Sequence, residues 1–257
     1  MIARLWRNRS LLVSMIRRQY QLRYRQSFMG WVWAFVPPLV GTVVGTVVFH
    51  RVAGIETGNV PYPLFVMAGL VPWTFFSSSL VLGVPSLVQM TQTISRVPFP
   101  RAVVPLSMVG LAFLDLIVAL LVFVVAAFLL GQGALMTWFA VPAILAVETV
   151  LTIGVVLFAS GLNMFARDIR LAVPMAVQLW LFLTPVMYPL ESVPQSLRLM
   201  YMLNPMTGVI ESFRDVLVMG QLPSTEIWGQ ALLSAAIFFA IGTWYFAATE
   251  PRFADVI

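Results

Sequence analysis

The sequence contains no cysteine, no lysine and a single histidine, His50. Without cysteine there is no disulfide framework, no thiolate zinc site and no thiol nucleophile. Arginine supplies all fifteen basic side chains, so there is neither a P-loop lysine for a nucleotide phosphate nor a Schiff-base amine. One imidazole cannot build a histidine-rich metal site, and no metal ligand is assigned. Charge is scarce as well: Asp, Glu and Arg make up 10% of the residues, against roughly 25% charged residues in a soluble domain. These deficits exclude nucleotide hydrolysis by this chain and metalloenzyme chemistry. What is present in excess is apolar: 60% of the 257 residues are hydrophobic and the mean hydropathy is +0.94, which places the chain in a bilayer.

A helix needs about 20 apolar residues to cross roughly 30 Å of hydrocarbon. Six stretches qualify: 31–49, 62–88, 105–130 (interrupted only by Asp115), 137–165 (only by Glu148), 171–188 and 227–249. Arginine placement supports this count. With both termini cytoplasmic, twelve arginines fall inside and three (Arg51, Arg198, Arg214) outside, as the cost of translocating positive charge requires. The expected fold is an all-α polytopic membrane protein, read as one permease domain over 1–257. Six transmembrane helices follow an N-terminal amphipathic interfacial helix at 1–28, and two short re-entrant helices lie between spans five and six, within 188–226.

The interfacial helix follows from the pattern of 1–28. Seven arginines and no uninterrupted apolar core argue against a cleaved signal peptide. Leu5, Trp6, Leu12, Val13, Ile16, Tyr20 and Tyr24 fall within about 120° of a helical wheel, with Arg7, Arg18 and Arg25 opposite. Such a helix suits anionic lipid headgroups. The outer segment 188–226 is too apolar for an aqueous loop, and Pro189, Pro194, Pro205 and Pro223 cut it into pieces too short to span. Pro194–Leu203 and Met206–Met219 are predicted as helices dipping into the outer leaflet, a gate or an interfacial cap. The connection Gln89–Val104 carries Pro98 and Pro100, which favour a stiff basic elbow suited to a soluble partner.

Asp115 and Glu148 fall about ten and eleven residues into spans three and four, near mid-membrane on neighbouring helices. Carboxylates there read as a proton relay or, more simply, as neutral groups hydrogen-bonded to a neighbouring helix. No basic residue shares their expected depth. Gly41-x-x-x-Gly45 in span one permits close helix approach and is a weak self-association signal. Aromatic residues gather at the start of span one (Trp31, Trp33, Phe35) and along span five (Trp180, Phe182, Tyr188), where they suit either an interfacial belt or the faces of sugars.

The stretches RYRQSFMGWVWAFVPPL (23–39), YPLFVMAGLVPWTFFSSSL (62–80), RVPFPRAVVPL (96–106), NMFARDIR (163–170), LWLFLTPVMYPLESVP (179–194), LNPMTGVIESFRDVL (203–217) and the closing RFADVI stand in an order and at a spacing that resemble one family. This is the membrane subunit of type-2 ATP-binding-cassette exporters of bacterial surface polysaccharides, such as O antigen, capsule and teichoic acid. The resemblance runs end to end. It implies a multi-pass protein of the bacterial inner membrane that forms a homodimer and couples to two cytosolic ATPase subunits, which bind the ATP and Mg; no cofactor belongs to this chain and no nucleic acid is involved. It further implies a lipid-linked polysaccharide as cargo. Gln89, Thr93, Arg96, Phe99, Pro100 and Arg101 become the ATPase-coupling elbow, and Pro194, Asn204, Pro205 and Phe213 belong to the outer gate. Trp31, Trp33, Phe35, Trp180, Phe182 and Tyr188 become the glycan path.

Arg7, Arg18 and Arg25 are then candidates for the carrier pyrophosphate, since guanidinium forks match phosphate oxygens. Two other readings of the residues stay open. One is an exporter of the same class carrying a drug or small lipid; the other is a proton-coupled transporter using Asp115 and Glu148. A membrane enzyme is disfavoured, because no nucleophile–base constellation is visible.

Overall fold

The computed structural model describes residues 7–25, 29–58, 60–90, 99–133 and 136–253. The described residues are helical apart from turns and short connections. Helix α1 is Arg9–Tyr24. Helix α2 is Val36–Gly45, continued in wider π-type turns through Thr46–Val52. Helices α3, α4 and α5 are Tyr62–Gln89, Val103–Leu129 and Val141–Phe165. Helix α6 is Ile169–Phe182, α7 is Gln195–Leu203 and α8 is Pro205–Arg214, extended by π-type turns over Asp215–Met219. Helix α9 is Thr225–Thr249.

Four helical segments are long and apolar enough to cross a membrane: Tyr62–Gln89, Val103–Leu129, Met136–Phe165 and Thr225–Arg252. The expected first and fifth spans are shorter, at Val36–Val52 and Ile169–Phe182. At 1.5 Å per residue, the 14 residues of α6 reach about 21 Å, less than the hydrocarbon core. The predicted fifth span ran on to Tyr188, but the helix stops at Phe182. Pro185 lacks the amide donor and disfavours helical geometry at Thr184.

Helix α3 is the hub. It packs against α2, α4, α5, α6 and α8 and buries Leu64, Phe65, Phe75, Phe76, Leu80 and Val84. Helix α5 packs most extensively with α9. Gly154 and Gly242 make this contact possible, since a Cβ on either would collide with the other helix's backbone. A second apolar cluster gathers Leu87, Ala102, Val104, Leu157, Met164, Phe246 and Phe253. These lie at the ends of α3, α5 and α9 and the start of α4, the end predicted to face the cytoplasm and called inner below.

One expectation is corrected. Gly41 and Gly45 do not present a free face for self-association; they lie against Leu70 and Val66 of α3. Helix α1 packs on α4 of the bundle. It runs lengthwise along α4, with Ile16 against Gly110 and Arg23 and Tyr24 reaching Asp115. Asp115 stands 12 positions beyond the start of α4 at Val103, or about 18 Å along it.

Candidate transport site

That climb of α1 changes the intramembrane chemistry. Arg23 Nη1 donates to Asp115 Oδ2 at 2.9 Å, and the Tyr24 hydroxyl donates to Oδ1 at 2.8 Å. A basic residue therefore does share the depth of Asp115, contrary to expectation: the linear sequence puts Arg23 before the first span, but packing of α1 on α4 carries it in. Glu148 is fully buried, and neither carboxylate oxygen has a hydrogen-bond partner among the described residues. Asp115 and Glu148 thus occupy different surroundings, and no hydrogen bond links them among the described residues.

Arg7, Arg18 and Arg25 are exposed on or beside α1. Eighteen residues separate Arg7 from Arg25, about 27 Å along a helix axis, so the three cannot converge on one pyrophosphate. Arg25 borders a cavity of about 480 Å³ with Tyr20, Gln21 and Tyr24.

The six aromatic residues assigned to a glycan path are not brought together. Trp31 and Trp33 are exposed and Phe35 is partly buried, its ring 6.2 Å from that of Trp31. Trp180 is wedged edge-on against Phe76 at 5.2 Å and Trp73 at 6.4 Å. Its indole N–H donates to Asn204 Oδ1 at 3.0 Å. Trp180 is therefore a packing residue. Phe182 faces outward, and the Tyr188 hydroxyl donates to the Phe182 carbonyl and pairs with the Tyr201 hydroxyl, both at 2.8 Å.

The outer segment consists of α7, α8 and the turns that join them. Pro194 precedes α7, which buries none of its residues, whereas α8 buries nearly all of its own. Asn204 is the junction. Its Oδ1 caps α8 by accepting from the Met206 amide at 3.1 Å, as an N-cap asparagine does, and its Nδ2 donates to Thr184 Oγ1 and the Leu183 carbonyl. The end of α6 and the start of α8 are thereby tied together. Pro205 fits the first turn of α8, and Phe213 is wholly buried.

Arg214, counted from sequence as one more outer-loop cation, is the anchor of this segment. Its guanidinium is 1% exposed and sits 3.9 Å from the centre of the Phe65 ring. It donates to Glu211 Oε1 at 2.6 Å, the Val186 carbonyl at 2.6 Å and the Tyr188 carbonyl at 3.4 Å. Burial pushes the Glu211 carboxyl up, and the Arg214 charge opposes that shift. The i,i+3 spacing Glu211–Arg214 in an otherwise apolar helix was the available signal.

At the inner end, Thr93 and Arg96 lie outside the described residues, and Gln89 is exposed at the last turn of α3. Phe99 packs on the inner apolar cluster and Pro100 is partly buried. The Arg101 amide donates to Glu250 Oε1 at 3.0 Å, and its Nη1 donates to the Glu250 carbonyl at 2.7 Å. Its guanidinium also lies 6.0 Å from the centre of the Phe253 ring. The elbow is thus fastened to the end of α9, a link that sequence separation hides.

An all-helical, multi-pass membrane protein, with four helices among the described residues long and apolar enough to cross a bilayer, is the class these features define. Residues 10–218 match the family described as ABC-2 type transporter, and the chain belongs to it. It is 30% identical to the O-antigen export system permease protein RfbA of Myxococcus xanthus, over 100% of this chain and 99% of that one. It is 29% identical to an RfbA of Klebsiella pneumoniae, over 96% and 95% of the two chains. The polysialic acid transport protein KpsM of Escherichia coli is 19% identical over 80% of each.

Proposed function

We propose that the chain is the transmembrane subunit of an ATP-driven exporter. It moves a lipid-linked polysaccharide from the cytoplasm across the bacterial inner membrane, as a homodimer with two cytosolic ATP-binding-cassette subunits. The observation that carries this reading is the end-to-end likeness to O-antigen export permeases. The chain's lack of lysine supports it further, because a P-loop needs one and the nucleotide site must then lie in a partner. The arginine distribution supports six spans with both termini inside, the outer pair α7–α8 folding back without crossing.

The outward faces of α2 (Leu39, Val43, Val47) and α6 (Leu171, Met175, Leu179), which both pack on the hub α3, are apolar and exposed. A second copy covering them would close a conduit along α3. ATP-driven closure of the ATPases presses on the elbow at 89–101. Arg101 passes that displacement to α9 through Glu250, and α9 carries α5 with it. At the far end, Asn204 and Arg214 tie α8 to the end of α6 and to the turn at Val186–Tyr188, so movement of α6 shifts the outer segment.

The test is complementation of a strain lacking its own O-polysaccharide permease. Surface polysaccharide is expected only when this chain is supplied with its ATPase subunit in hydrolysis-competent form. Translocation by the purified chain without any nucleotide-hydrolysing companion would overturn the proposal.

A further inference from the structure

Surfaces at membrane depth differ sharply in polarity. The outward faces of α4 (Leu114, Ile117, Leu121, Val125) and α9 (Leu233, Ile237, Ile241) are apolar and exposed, as contact with hydrocarbon requires. The groove between α3 and α6 is different. Ser77 and Ser78 of α3, Gln178 of α6 and Arg23 of α1 place polar groups in a cavity of about 320 Å³ whose other walls, Trp73, Val81, Leu82, Pro174 and Val177, are apolar. The Ser77 hydroxyl donates to the Thr74 carbonyl at 3.2 Å, which leaves its lone pairs to accept. Ser78 and Gln178 make no hydrogen bond among the described residues. Hydroxyl and amide groups left facing hydrocarbon are costly, so polar surface at this depth marks a water- or ligand-filled space.

The charge in the groove limits what fills it. Arg23 lies 2.9 Å from Asp115, and the pair carries no net charge. No second cation borders the cavity among the described residues, so a phosphate would meet the field of Asp115 along with that of Arg23. Hydroxyl groups fit better, because each both donates and accepts, as serine and glutamine side chains do.

We propose that the α3–α6 groove is a subsite for an uncharged, hydroxyl-rich sugar unit of the transported chain. The sugar hydroxyls bond to Ser77, Ser78 and Gln178 and to the Arg23 N–H groups that Asp115 leaves over. This rests on the export function given above. It moves the polymer contact away from the exposed rings of Trp31, Trp33 and Phe182.

The absence of native cysteine makes a direct test clean. Single variants Ser78→Cys, Gln178→Cys and, as a lipid-face control, Ile117→Cys are made in the full complex with its ATPase. A charged, membrane-impermeant methanethiosulfonate reagent is added to inside-out vesicles. The two groove cysteines are expected to react at least about tenfold faster than Ile117→Cys, as wet and dry sites differ. Their labelling is expected to slow in vesicles from cells that make the lipid-linked polysaccharide, compared with cells blocked in its first glycosyl transfer. Groove cysteines as slow as the control, or rates indifferent to the glycan, would overturn the subsite. A combined Ser77→Ala, Ser78→Ala, Gln178→Leu variant is expected to lose export about tenfold or more, from several lost hydrogen bonds, with complex assembly unchanged; wild-type export from it would also overturn the subsite. Failure of the wild-type complex to move glycan sinks the export reading and the subsite together. Export by the wild type with unprotected groove cysteines sinks the subsite alone.

Discussion

Arg214 shows how one side chain holds a segment in place. Its guanidinium meets one carboxylate, two main-chain carbonyls and the Phe65 ring. Lysine, with a compact ammonium, cannot reproduce that fork or lie flat on a ring. Arg214→Lys and Arg214→Ala are therefore both expected to destabilise the protein, the alanine by about 3 kcal/mol, read as a fall in unfolding temperature in detergent. Glu148 sits at the opposite extreme, buried without a bonding partner among the described residues. Under the export mechanism Glu148→Gln is expected to leave export within about twofold of wild type, since neither carboxylate oxygen has a hydrogen-bond partner to lose among the described residues. A proton-coupled transporter would lose transport. The sequence marked Asp115 and Glu148 as unusual, because carboxylates are rare in apolar runs. It could not supply the Arg23 partner, because helical periodicity describes the faces of α1 and not the route α1 takes along α4.

At the scale of elements, the elbow separates two roles that the sequence merged. Arg101 bonds inward to Glu250, so Arg101→Glu is expected to lower both thermal stability and coupling. Arg96→Glu is expected to reduce export per ATP hydrolysed with the unfolding temperature unchanged; equal destabilisation by both would refute the division. On the outer side, Asn204→Ala removes the cap of α8 and the links to Thr184 and Trp180. Loss of the cap alone is worth about 1 kcal/mol, and a greater loss in measured stability is expected. The proline pattern made the two short outer helices legible, because each break needs only local chemistry. Which of them is buried was not legible, since α7 and α8 are both apolar and only packing against α3 and α9 distinguishes them.

For the whole molecule, hydropathy located six apolar segments, but their lengths in the structure are unequal, and α2 and α6 are the short ones. Both also expose apolar faces beside α3. The Gly41/Gly45 motif pointed to close helix packing and was correct about geometry, but its partner is α3 of the same chain. If the outward faces of α2 and α6 meet a second copy, Leu179→Arg is expected to convert dimers to monomers in native mass spectrometry. An unchanged dimer would place the seam elsewhere.

The crossing at Gly154 and Gly242 bears on how this protein tolerates change. Two main chains meet there with no side chain between them, so α5 and α9 leave little room for accommodation. The α3–α6 side, with its small hydroxyls and open space, has far more. Laboratory evolution toward a different cargo should therefore accumulate its successful replacements on that side and leave the glycine crossing untouched.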